Sequence, residues 1–302
     1  SMTKRLKPWV RRAINRTRKG ASQSAAFLVF SMLVFTHRVP GLQAVSSEAA
    51  DVTDPAEFAQ KAWNNFEKAQ PELPAYAHRG YSSQYVENTP EAFAQATISG
   101  CPQLELDVWP SKDGILYVSH DDSLERIYKK KLEITKSSSS QLEPAFASNG
   151  QPIMTLQQIL DLFSDGAVYL VELKDWEKCL PAFRQVLKDN PELVNNIQVQ
   201  AWEKEPLEKL EDEYPYMYKQ LLVPELSKLQ PGLDSEAVNG IGINAEVVNS
   251  GVIASIHEAG KKAVCYTVND GQMMDYLIAI GADGIISDNP QKVLHKYETK
   301  SD

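Results

Sequence analysis

The sequence predicts an α/β fold, a (β/α)8 barrel with a small insertion after its third strand and an N-terminal signal or anchor segment in front. Three observations point there. From residue 74 onward short apolar runs alternate with amphipathic stretches of helical length, and repeated strand-then-helix order implies a parallel sheet covered by helices. The body carrying this alternation spans about 230 residues, close to the roughly 250 that one α/β barrel uses. An open, doubly wound sheet is the alternative; it calls for a glycine-rich turn after the first strand, and residues 80–86 (GYSSQYV) hold a single glycine.

Residues 1–46 read as an address. Lys4, Arg5, Lys7, Arg11, Arg12, Arg16, Arg18 and Lys19 precede the apolar run AAFLVFSMLVF (25–35), and small residues follow in AVSSEAA (44–50). A basic region, a short apolar region and a small-residue exit are the three parts of a secretory signal. As a helix that run would reach only about 16 Å, against a hydrocarbon core of about 30 Å. A cleaved signal and an exported location are therefore expected, with an uncleaved membrane anchor as the alternative. Residues 47–73 are acidic and partly helical in pattern (AEFAQKAWNNFEKA, 56–69) and read as a helical spacer ahead of the barrel domain, 74–302.

Within the barrel domain the strand-like runs are AYAHR (75–79), LELDV (104–108), ILYVSH (115–120), VYLVELK (168–174), IQVQAW (197–202), YKQLLV (218–223), GIGINA (240–245), KAVCYTV (262–268) and GIISD (284–288). Helical periodicity marks 87–100, 155–163, 180–190, 205–214, 250–260 and 272–281, and Gly100, Gly260 and Gly281 stand where helices stop. Nine strands are one more than the barrel needs. Asp113-Gly114 stands between the second and third, so one run is a hairpin partner or a misread loop. Residues 121–154, polar and without clear periodicity, read as a small insertion above the barrel mouth.

Charge and cysteine usage narrow the partners. Of 31 Lys/Arg, nine lie in residues 1–46 with no Asp or Glu, leaving 22 basic against 40 acidic residues in the body. A body so acidic offers no basic face to a nucleic acid, and only its N-terminal segment would attract an anionic membrane. Cys101, Cys179 and Cys265 are odd in number and lack C-x-x-C spacing, so they read as buried small hydrophobes.

In a parallel barrel, functional groups sit at the C-terminal ends of strands. His78 ends the first strand, Glu105 and Asp107 the second, His120 the third, and Glu172 and Lys174 the fourth. Residues i and i+2 share a face, so Glu105 pairs with Asp107 and Glu172 with Lys174. Any one of these would be unremarkable at a solvated strand end, but so much charge in one mouth is costly unless a cation binds. Three carboxylates without thiols suit one hard divalent cation, Ca²⁺ ahead of Mg²⁺; zinc would want more nitrogen ligands than five His and no H-x-H supply. Two His beside such a metal supply an acid and a base near neutral pH, and Arg79 and Lys174 add the positive groups a phosphate oxygen needs.

At these residues the chain resembles the glycerophosphodiester phosphodiesterase family. AHRG (77–80), ENTPEAF (87–93), ELDV (105–108), DG (113–114), HDDSLER (120–126), VELK (171–174), YTVND (266–270) and GADGIISDNP (281–290) match in content, order and spacing over about 215 residues. The resemblance implies a TIM-barrel, metal-dependent hydrolase that cleaves glycerophosphodiesters to glycerol 3-phosphate and an alcohol. By motif position it makes His78 and His120 the acid/base pair and Glu105, Asp107 and Glu172 the metal ligands, with Arg79 and Lys174 on the phosphate. Glu87 and Asn88 belong to the family's E-N-T element; Glu87 is a substrate-binding candidate, whereas Asn88 or Thr89 would equally cap a helix starting at Pro90. Tyr266 stands where the family usually has Trp, and Ala201-Trp202 where it has Ser-Phe, which makes Tyr266 and Trp202 candidates for the pocket of the leaving alcohol.

Three other readings use the same residues. A lysophospholipase D would show a long apolar groove near residues 121–154, and a phosphodiesterase of cell-wall glycerophosphate polymers would suit an exported location. A non-enzymatic barrel that only binds its ligand is the third, and the presence of both His and all three acids argues against it.

Overall fold

The computed structural model describes residues 73–300. The signal or anchor read at residues 1–46, and the spacer read at 47–73 except its last residue, lie outside the described residues. The described strands are β1 (Ala75–His78), β2 (Gln103–Pro110), β3 (Leu116–Val118), β4 (Val168–Leu173), β5 (Ile197–Ala201), β6 (Lys219–Val223), β7 (Gly240–Asn244), β8 (Lys262–Tyr266) and β9 (Gly284–Ser287). Eight are parallel staves, running β1, β2, β4, β5, β6, β7, β8, β9, and β9 pairs back onto β1 to close the sheet. The TIM barrel expected from the alternation is present.

The surplus strand is β3. It is antiparallel, pairing Val118, Tyr117 and Leu116 with Val108, Trp109 and Pro110, so it extends a hairpin from the end of β2 rather than forming a stave. His120 follows this hairpin. The expectation that it ends a third barrel strand is corrected accordingly.

The helices are α1 (Pro90–Ile98), α2 (Glu125–Tyr128), α3 (Ser139–Leu142), α4 (Leu156–Phe163), α5 (Trp176–Asp189), α6 (Glu205–Glu211), α7 (Leu229–Asp234), α8 (Ser250–Glu258), α9 (Gly271–Ala279) and α10 (Pro290–Glu298). The sequence reading missed α7, α10 and the two one-turn helices α2 and α3 of the insertion, and it started α5 four residues late because Pro181, which reads as a first-turn residue, lies inside the helix. Alternation along the staves divides two cores. Outward residues such as Ala77, Leu104, Leu106, Val171 and Ile285 pack under the helices, while Tyr76, Leu170, Val264 and Ile286 fill the lumen. The insertion between β3 and α4 carries α2 and α3 over a small core of its own, including Leu124, Tyr128, Ile134 and Leu142. All three cysteines are buried and unpaired, as expected. Among the described residues no helix is long and apolar enough to cross a membrane.

Candidate active site

Strand periodicity aims Glu105 and Asp107 of β2 and Glu172 of β4 into the mouth of the barrel, and the register sets Asp107 beside Glu172. One oxygen from each carboxylate lies within 4.8 Å of the other two, and the residues are only 2%, 1% and 6% exposed. Lys174, one residue past β4, places Nζ 2.6 Å from Glu172 Oε1 and 3.6 Å from Asp107 Oδ1. Arg79, one residue past β1, donates its backbone N–H to Glu105 Oε2 at 3.1 Å and holds Nε 3.6 Å from Asp107 Oδ2. The next residue must be glycine, because a Cβ on Gly80 would stand 2.6 Å from the α1 backbone at Ala92.

Three acids against two cations leave this pocket short of positive charge. Burial, then repulsion from Asp107 and Glu172, pushes the Glu105 carboxyl well above the ordinary carboxylate range. Burial, then Asp107, pushes Glu172 up to about 7 even with Lys174 beside it. For Asp107 burial is outweighed by Lys174 and Arg79, and its carboxyl stays low. Two buried polar atoms at Asp107 have no hydrogen-bond partner: the donor Arg79 Nε and the acceptor Asn88 Oδ1. An all-oxygen cluster, crowded with negative charge and flanked by an open acceptor, fits a hard divalent cation, and the open guanidinium donor fits an anionic oxygen beside it.

The two histidines flank the cluster with the same local design. His78, at the end of β1, sets Nδ1 2.6 Å from Asp288 Oδ1, and Asp288 is the residue after β9. His120 sets Nδ1 2.7 Å from Asp121 Oδ1, whose other oxygen accepts from Arg126 Nε at 2.7 Å. A carboxylate at Nδ1 requires the proton there and leaves Nε2 as the free face of the ring. Their exposure differs, 18% for the His78 side chain and 36% for that of His120. Asp288 is itself fixed by Ser82 Oγ at 3.0 Å and Asn269 Nδ2 at 2.7 Å.

The family model for the glycerophosphoryl diester phosphodiesterase family matches residues 78–292, more than two thirds of the chain and all of the residues above. The chain belongs to this family. It is an enzyme, and the relatives agree. A glycerophosphodiester phosphodiesterase from Bacillus altitudinis is 25% identical over 235 residues, covering 72% of this chain and 96% of that one. Among solved structures, a phosphodiesterase from Oleispira antarctica in complex with the product sn-glycerol-3-phosphate superposes with a TM-score of 0.69 at 27% identity, covering 75% of this chain and 97% of that one. A glycerophosphodiester phosphodiesterase from Thermotoga maritima shares the fold, with a TM-score of 0.63 at 24% identity over 75% of this chain and 98% of its own.

The family's E-N-T element divides its work between three neighbours. Thr89 caps α1, its Oγ1 accepting from Ala92 N, and the helix begins at Pro90 as expected. Asn88 is not a cap. With a left-handed backbone (φ 54°) it turns its amide to Asp107 Oδ2 at 3.0 Å, so it belongs to the carboxylate cluster. Glu87 stands one step out, accepting from Arg79 Nη1 at 3.1 Å and from Arg126 Nη2 at 2.6 Å. Trp202 donates Nε1 to Glu172 Oε1 at 2.9 Å and meets Tyr266 edge to face, with ring centroids 6.0 Å apart. The Tyr266 hydroxyl is buried without a partner.

Four contacting residues were not singled out in the sequence. Asp121, Arg126 and Asp288 lie inside the quoted motifs HDDSLER and GADGIISDNP, so their signal was present. Gln200, whose Nε2 donates to Glu105 Oε1 at 2.9 Å, gave none beyond its inward phase on β5.

Proposed function

We propose that this enzyme hydrolyses glycerophosphodiesters to sn-glycerol 3-phosphate and an alcohol, with one divalent cation held by Glu105, Asp107 and Glu172 and with His78 and His120 as its acid and base. The observation that carries the reading is the buried three-carboxylate cluster with an open guanidinium donor beside it and two carboxylate-anchored imidazoles at its rim. When bound, the cation supplies charge neutralisation at the phosphoryl oxygens and orients the diester. Three buried carboxylates and a neutral amide oxygen suit the large, irregular shell of Ca²⁺ better than the octahedron of Mg²⁺.

Charge balance supports a monoanionic substrate. With a divalent cation holding all three acids ionised, the acids and the two cationic side chains sum to one negative charge; the ion turns that into one positive charge, which a phosphodiester cancels. Arg79 Nε and Lys174 Nζ bind the non-bridging oxygens. One imidazole, neutral with its proton on Nδ1, takes a proton from the nucleophile at Nε2; the other acts as the imidazolium, protonated on both nitrogens and stabilised by its Nδ1 carboxylate, and gives its Nε2 proton to the departing alkoxide. Trp202 and Tyr266 line the side where the alcohol leaves.

The test is turnover on glycerophosphodiesters of choline, ethanolamine and glycerol, beside a lysophospholipid and a glycerophosphate polymer, with chelator and with Ca²⁺ or Mg²⁺ added back. Metal-dependent release of glycerol 3-phosphate from the small diesters is the expected result. Turnover of none of them, or turnover indifferent to chelator, overturns the proposal.

A further inference from the structure

We propose that Tyr218, Gln220 and Gln200 form a relay of positioning residues, running through the barrel lumen, that presets Glu105 for its cation; this rests on the divalent-cation reading above. Tyr218 Oη donates to Gln220 Oε1 at 2.7 Å, Gln220 Nε2 donates to Gln200 Oε1 at 3.1 Å, and Gln200 Nε2 donates to Glu105 Oε1 at 2.9 Å. The direction follows from the geometry: Gln200 turns its NH₂ to Glu105 and its carbonyl to Gln220, the orientation Glu105 needs as a cation ligand, because a ligating carboxylate is ionised and only accepts. Gln220 must then offer its own NH₂, which leaves its carbonyl for the hydroxyl of Tyr218. Each amide has one orientation that satisfies both neighbours. The second oxygen of Glu105, Oε2, accepts from the backbone N–H of Arg79 at 3.1 Å, a donor shared with the Glu105 carbonyl at 3.0 Å. Both carboxylate oxygens are therefore aimed before any ion arrives, and each keeps a lone pair.

The lumen around the relay shows what this arrangement displaces. Gln200 and Gln220 are 1% and 0% exposed, and burying two primary amides is costly unless their hydrogen bonds are made. Leu170, Val264 and Ile286 fill other parts of the same lumen with no such demand. The register sets Gln200 beside Gln220, and Gln220 beside Gly240 on β7. A Cβ on Gly240 would fall 1.8 Å from Tyr218 Oη, and one on Gly242 would fall 2.8 Å from Gln220 Nε2. Two glycines in one stave weaken a strand, and here they vacate the space that the relay occupies.

The experiment is calorimetric titration of the substrate-free full chain with CaCl₂ or MgCl₂ alone, on the unaltered protein and on Gln200→Met, Tyr218→Phe and Tyr76→Phe. Gln200→Met keeps the volume and removes the donor; affinity should fall about 10–100-fold, the usual effect of losing an outer partner of a metal ligand. Tyr218→Phe keeps the packing and removes only the first donor, leaving the Gln220 and Gln200 amides free to turn over; a loss of about two- to tenfold is expected. Tyr76→Phe is the control, since its hydroxyl donates to Gln198 Oε1 at 2.6 Å in the same lumen but off the relay; its affinity should not change even if its melting temperature does. Unchanged affinity in folded Gln200→Met and Tyr218→Phe overturns the relay, as does an equal loss in Tyr76→Phe. No binding of either cation by the unaltered protein overturns the metal reading itself, so the two failures are distinguishable.

Discussion

Asp288 Oδ1 lies 2.6 Å from His78 Nδ1, so the carboxylate that leaves the last stave of the barrel orients the imidazole that ends the first. Burial alone would raise the Asp288 carboxyl, but the bond to His78, with those from Asn269 and Ser82, outweighs it and holds it below the ordinary carboxylate value. Asp288 therefore stays ionised throughout the neutral range and keeps the His78 proton on Nδ1. Asp288→Asn should lower kcat on the order of 10²-fold, part of the 10²–10⁴-fold that a positioned acid or base supplies, with KM and melting temperature nearly unchanged. Steady-state kinetics would read this directly; a wild-type kcat would show that Asp288 has no hold on the chemistry.

His78→Ala and His120→Ala should each lose roughly 10²–10⁴-fold in kcat while keeping fold and metal binding. A diester with p-nitrophenol as its leaving group separates the two roles, because that alkoxide departs without a proton. Activity of the variant lacking the general acid should recover on it, and the variant lacking the base should not. Near-wild-type turnover of the ordinary substrate by either variant would defeat the acid/base assignment.

Much of this site was legible because strand periodicity converts spacing into direction. Glu105 with Asp107, and Glu172 with Lys174, sit two apart on a strand and so share a face, which needs no knowledge of the closed barrel. His120 was harder to place: ILYVSH is as apolar as a stave, and only pairing shows that β3 turns back on β2 at Asp113-Gly114. Asp288 is 210 residues from His78, and nothing short of barrel closure makes them neighbours. Gln200 and Gln220 were invisible for another reason. A polar residue alternating with apolar ones reads as the solvent face of a strand, and in a closed barrel that phase faces the lumen. The missed α7 has a glycine and a proline in six residues, so it carries little helical signal of its own.

Glu105→Gln and Asp107→Asn should lower metal affinity and activity together, because each replaces a charged oxygen by a neutral amide of nearly the same shape. The loss should exceed the roughly 10–100-fold that outer partners of a ligand are worth, and should therefore exceed that of Gln200→Met. Titration of Ca²⁺ by calorimetry, with kinetics on the same samples, gives both readouts. Unchanged affinity in both variants would remove these residues from the metal site.

Residues 1–46 are expected to be absent from the working enzyme or to serve only as its membrane anchor. Their nine positive charges face a body with 22 basic and 40 acidic residues, and their apolar run of 11 residues lies well before Ala75, where the first stave begins. Among the described residues, none of the side chains placed at the site comes from before His78. A chain beginning near Glu48 should then fold with full activity and an unchanged melting temperature. Mass spectrometry of protein recovered from an exporting host should find an N-terminus between about residues 44 and 50, where small residues follow the apolar run. An intact N-terminus in the membrane fraction would mark the segment as an anchor. Full-length soluble protein retained in the cytoplasm would refute export altogether.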